Sequence, residues 1–144
     1  MRPKAKSTRN WGSSDVYPPV FEIAKQSAAV LAALGSNPTR LWPFAISPQK
    51  GTANYGVPYA VHQLIYGAPV LSLSCVPNTD NFGIQIDVYA DNATDAREVA
   101  AALRDAYEAS NNPVVAWNGE DWEPSTGLYR VSFTVEFWPD RATT

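Results

Sequence analysis

Two stretches of this chain alternate strictly between apolar and polar side chains, and they constrain the fold more than any other feature. Phe82, Ile84, Ile86, Val88 and Ala90 alternate with Gly83, Gln85, Asp87 and Tyr89; Tyr129, Val131, Phe133, Val135 and Phe137 alternate with Arg130, Ser132, Thr134 and Glu136. A period of two is that of a strand with one face buried. Between them, Ala96, Val99, Ala100, Leu103 and Tyr107 recur at helical spacing, with Arg97, Glu98, Arg104, Asp105 and Glu108 outside the stripe. Half-buried strands joined through an amphipathic helix predict a sheet covered by helix on one side.

The remaining elements follow from periodicity and punctuation. Pro18-Pro19 opens a helix expected over 18–34, with Val20, Ile23, Ala24, Ser27, Val30, Leu31 and Leu34 on one face and Gly35 ending it. Residues 40–46 predict a short strand that Pro43 confines to an edge or bulge, and 47–58 a loop. A strand is expected over 59–66, then a long connection over 67–81. Asp91-Asn92-Ala93-Thr94 closes the next strand and caps the helix after it. Arg104 and Glu108 stand at i,i+4 on that helix. Val114–Trp117 predicts a short strand, 118–127 a polar turn and 129–137 the last strand, stopped by Pro139. The expected class is α+β, one mainly antiparallel sheet with two helices packed on one face. Trp138, Tyr89 and Tyr66 are candidates for an exposed aromatic partner surface.

Composition fits one domain. Of 144 residues, 45% are hydrophobic, 17% charged and 12% aromatic, which supports a core and argues against disorder over most of the chain. Charge is unevenly spread. Residues 1–17 carry Arg2, Lys4, Lys6 and Arg9 against Asp15, or 4 − 1 = +3; residues 18–144 carry 7 − 13 = −6. The division expected is a basic flexible arm over 1–17, a domain over 18–138 and a C-terminal tail over 139–144. An acidic body argues against the sequence-independent phosphate affinity of DNA-binding proteins. No apolar run approaches the ~20 residues of a membrane-spanning helix, and the N-terminal residues lack the apolar stretch of a secretory signal. A soluble protein made inside the cell is the expectation.

Chemistry is sparse. There is no phosphate loop, nucleophile elbow or metalloprotease helix. His62, the one histidine, reads as a hydrogen-bonded strand residue. Cys75, the one cysteine, has no basic neighbour in sequence to activate it. Glu120, Asp121 and Glu123 form the densest carboxylate cluster, expected on a solvated loop. Asn92-Ala93-Thr94 matches a glycosylation sequon only formally. No catalytic, cofactor or metal site is expected. The competing reading is a small ligand-binding or enzymatic domain using Glu120, Asp121 or His62, which would converge on a pocket.

The strings Phe82-Gly-Ile-Gln-Ile-Asp-Val-Tyr-Ala-Asp91, Ala96-Arg-Glu-Val-Ala-Ala-Ala-Leu-Arg-Asp-Ala106 and Pro124-Ser-Thr-Gly-Leu-Tyr-Arg-Val-Ser-Phe133, preceded by Arg40-Leu-Trp-Pro43 and Pro58-Tyr-Ala-Val-His-Gln63, form an ordered set. It resembles the tail completion, or tail terminator, family of long-tailed bacteriophages over about residues 18–138. The resemblance implies a non-enzymatic virion subunit at the head–tail junction, assembled in the bacterial cytoplasm. It implies a homo-oligomeric ring, a hexamer, on the head-proximal end of the tail. The tail tube protein and a head-neck protein would be partners, with DNA only passing through the lumen and no membrane or cofactor involved. A neck or other minor tail protein is the alternative. Interface residues are expected in the arm (Arg2, Lys4, Lys6, Arg9), in the 67–81 connection (Val70, Leu71, Leu73) and in the 118–127 turn (Glu120, Asp121, Trp122, Glu123). The arm and the 67–81 connection are not carried over from the family.

Overall fold

A computed structural model of the chain describes residues 17–44, 56–71, 73 and 76–141. The basic residues of the arm and Cys75 lie outside them.

Five strands form one sheet, β1 (Leu41–Pro43), β2 (Tyr59–Pro69), β3 (Asp80–Ala90), β4 (Val114–Glu123) and β5 (Leu128–Phe137), in the order β1-β2-β3-β5-β4. All pairings are antiparallel except β1 with β2. Helices α1 (Val20–Ala24), α2 (Ala28–Leu34) and α3 (Ala93–Ala109) stack on one face. The class is the α+β expected from the pattern. β3, α3 and β4 make a crossover unit, and β5 returns through the gap between the two strands.

The expected single helix over 18–34 is two helices. The Ser27 backbone is extended and its hydroxyl accepts from the Val30 amide at 3.2 Å, so this residue caps α2 instead of continuing α1. Serine competes with helix through such local bonds. Of the strand expected over 40–46, 41–43 form β1, Phe44 turns with φ 60° and 45–46 lie outside the described residues; β1 runs parallel to β2. The 67–81 connection is shorter than expected: β2 continues to Pro69 and β3 starts at Asp80, so the link between the two strands spans 70–79. The expected turn over 118–127 is the largest correction. β4 runs to Glu123, and only 124–127 turn. Arg104 pairs with Asp105 at 2.9 Å, while the Glu108 carboxylate accepts from the Val114 amide at 3.4 Å.

The core lies where α3 crosses β3 and β5. Val99, Ala100, Leu103 and Tyr107 bury against Ile84, Ile86, Val88, Phe133 and Val135, each large apolar side chain contributing roughly 1.5–3 kcal/mol. Tyr107 is fully buried. Its hydroxyl donates to the Val20 carbonyl at 3.2 Å and its ring meets Phe137 edge-on at 5.6 Å, which ties α1 to α3 and the sheet. Asn92 caps α3, its side-chain oxygen accepting from the Asp95 amide at 2.8 Å.

Residues flanking the expected 18–138 domain make contacts with it at both ends. Tyr17 packs against the core and its hydroxyl hydrogen-bonds His62 Nδ1 at 2.7 Å. At the other end, Arg141 forms a two-pronged pair with Asp80 at 2.7 and 2.9 Å, and Thr79 donates to Asp140 at 2.6 Å.

Candidate functional site

Helices cover one side of the sheet. The other side is open, and strand alternation decides what it carries. β3 contributes Gly83, Gln85, Asp87 and Tyr89; β5 contributes Arg130, Ser132, Thr134 and Glu136; β4 contributes Asp121 and Glu123, and β2 contributes Tyr66. Many of these side chains bond to one another. Gln85 donates to both oxygens of Asp87 at 3.1 Å. Arg130 bridges Asp87 at 3.2 Å and Asp121 at 3.3 Å. Asn118 donates to Ser132 and Thr134 at 3.3 and 2.9 Å. Asp87, Ser132 and Thr134 are thereby buried although no helix covers them. Tyr89 stacks on Tyr59 with ring centroids 5.0 Å apart. Burial, then the neighbouring Asp87, pushes the Tyr89 phenol up. The face carries Asp87, Asp121, Glu123 and Glu136 against Arg130, or 1 − 4 = −3. An acidic, internally bonded surface repels phosphate and offers it no free donor cluster.

The expected carboxylate cluster is taken apart by the strand that carries it. Glu120 points to the helix side, where the Arg97 guanidinium grips it in two bonds at 2.7 and 2.8 Å. That guanidinium holds the Glu120 carboxyl below its usual range. Asp121 and Glu123 point to the open face. Among the described residues no group of three His, Cys, Asp or Glu sits together to hold a metal ion.

His62 is on β2, three strands away from β4 in the sheet. It forms part of the wall of a cavity of about 810 Å³ between α1, β1 and β2, whose apolar lining includes Val20, Phe21, Leu41 and Leu64. It is buried beneath Tyr17, and burial drives its pKa down to about 4, so the ring is neutral. Glu120, Asp121 and His62 do not converge on one pocket. No helix among the described residues is long and apolar enough to cross a membrane.

Among the described residues, exposed apolar side chains gather at opposite edges of the sheet. The far half of the β2–β3 hairpin presents Leu64, Ile65, Val70, Leu71, Leu73 and Val76, with Leu73 entirely open to solvent. The helix side of β4 presents Trp117 and Trp122, each about half exposed, with Tyr129 beside them. Three expected interface residues (Val70, Leu71, Leu73) thus fall on the first surface and Trp122 on the second. Trp117 is not among the expected interface residues; an aromatic on a short strand is the sequence signal that points to it.

The sequence matches the family model described as Tail completion protein gp17 over residues 18–140. The chain belongs to that family. It is a structural protein of the tail of a phage-type virion. A chain from a solved "Virion of native gene transfer agent (GTA) particle" has the same fold, with a TM-score of 0.52 at 17% identity, covering 84% of this chain and 91% of that one. No curated protein matches the sequence significantly.

Proposed function

We propose that this tail protein forms a ring, a hexamer, on the head-proximal end of the tail tube, where it ends tube growth and joins tail to head. The observation that carries the reading is the division of the sheet. One face is sealed by helices, the other is acidic and already hydrogen-bonded, and both lateral edges keep apolar surface exposed. A subunit with different sticky surfaces on its two sides makes head-to-tail contacts, and such contacts close into a ring when the rotation allows. The acidic face suits a lumen through which DNA slides without adhering, because its net negative charge repels phosphate and the single guanidinium is engaged by Asp87 and Asp121. In this reading the subunit's partners are its own copies, the tail tube protein and a head-neck protein, at the head–tail junction of the virion.

The domain proposed is 18–138 with a basic arm before it and a short tail after it. Polymerising purified tube protein with and without the chain tests the role. Growth should stop at one tube end bearing a ring. Unchanged tube growth with no particle bound to the ends would contradict it, and binding without arrest would place the protein in the neck or among other minor tail components.

A further inference from the structure

The two exposed apolar surfaces accompany two unpaired strand edges. β1 pairs only with residues 60–62 of β2, so among the described residues the outer edge of β2 from Gln63 to Pro69 has no neighbouring strand. The outer edge of β4, residues 114–123, has none either. Unprotected edges invite strand addition, and natural proteins blunt them unless they are used. β4 is ten residues long, with no proline within it. The hairpin is free of charge from Leu64 through Thr79. It lacks the charged residues that ordinarily guard an exposed edge.

From these edges we infer that neighbouring copies join by adding the far half of β2 of one copy to β4 of the next, giving a sheet continuous around the ring. The inference rests on the ring reading and locates its interface. Three features select a second copy as the occupant. The first is direction. β2 and β4 run antiparallel to each other within one copy, because three antiparallel pairings separate them. A neighbour rotated about an axis along the strands therefore meets β4 antiparallel, like the rest of the sheet. The second is facing. Leu64 lies on the helix side of β2, as do Trp117 and Trp122 on β4, so the same rotation brings the apolar side chains together and keeps the acidic faces on one side. The third is exposed apolar surface. Leu71, Leu73 and Val76 are each more than three-quarters exposed, and Leu64 and Ile65 about two-fifths, so covering them removes apolar surface from water, the dominant gain in association. The flank of β4 supplies the tryptophans that typically anchor such contacts.

The test uses full-length Leu64→Cys/Trp122→Cys protein in a Cys75→Ser background, supplied to infected cells whose own copy is inactivated. Tails are purified, treated with a short bis-maleimide and run on a denaturing gel. The expected result is a ladder of covalent multimers ending at the ring, with only monomer from either single-cysteine protein. Protein present on tails as a ring but giving no ladder would overturn the interface while leaving the ring standing. So would cross-linking to another virion protein, or multimers from Leu64→Cys alone, which would mean that hairpins meet each other. Absence of the protein from tails would remove the ring itself. A Leu71→Asp/Leu73→Asp variant gives a second readout. Both positions are exposed, so its circular dichroism and melting temperature should match the parent, while its incorporation into tails falls at least tenfold; undiminished incorporation would overturn the inference.

Discussion

The Tyr66 hydroxyl, on β2, donates to the Glu136 carboxylate, on β5, at 2.5 Å across the whole width of β3. The reach is possible because the residue between them in the register is Gly83, over which the Tyr66 ring lies. A Cβ built there would stand 2.2 Å from the ring. Burial and the carboxylate together raise the phenol to about 12, so it remains a donor throughout the ordinary pH range.

Gly83→Ala should therefore expel the Tyr66 ring and break its bond to Glu136. The expected cost is about 1–3 kcal/mol in urea unfolding, the usual scale for forcing extra atoms into a packed site. Tyr66→Ala should cost less, and the double variant should fall well short of the sum of the two. Additive effects would show that the glycine serves some other purpose.

His62 makes stability depend on pH. Its folded pKa of about 4 lies below the unfolded value near 6.5. The unfolded chain consequently binds the extra proton first, and stability is lost as pH falls from about 6.5 toward 4. The loss attributable to this one ring is roughly 2–3 kcal/mol. His62→Gln keeps a hydrogen-bonding partner for Tyr17 and has no charge to gain. Urea denaturation at pH 7.5 and 4.5 should show a smaller acid-induced drop in the variant; equal drops would mean that carboxylates alone carry the acid sensitivity.

Asn92 caps α3, which carries much of the core. Asn92→Ala should cost about 1 kcal/mol and Asn92→Gly only a few tenths, because a glycine cap remains compatible with the extended backbone. Thermal melts of both variants check this. Equal losses would mean that the cap bond to Asp95 contributes little.

Much of this fold was legible in the sequence, but unevenly. β3, β5 and α3 announce themselves because each buries one face completely, so their periodicity is unbroken. β4 does not. It is an exposed edge strand with irregular register near Val115 and Asn118, and each irregularity shifts the phase of alternation. Asn118-Gly119 and the acids after it then look like a turn. The pairing of Glu120 with Arg97 was invisible for the same reason, since only the strand register places it opposite α3. Ser27 sat at an apolar-stripe position and was read as one more helical residue. The arm is legible only as a run of basic charge, and its basic residues lie outside the described residues.

Removing residues 2–14 should leave the fold intact, because the first side chain with a described role in the core is Tyr17. Circular dichroism and melting temperature should match the full chain, while docking to a virion neighbour weakens. An insoluble or unfolded truncation would place the arm in the core.

The most direct measurement is tail length by negative-stain microscopy in lysates in which this gene is inactivated. Over-long tubes beside tailless, DNA-filled heads are expected, both restored by supplying the protein. Tails of normal length would contradict the terminator role: normal tails left unattached would put the protein in the neck, and intact virions would remove it from tail completion altogether.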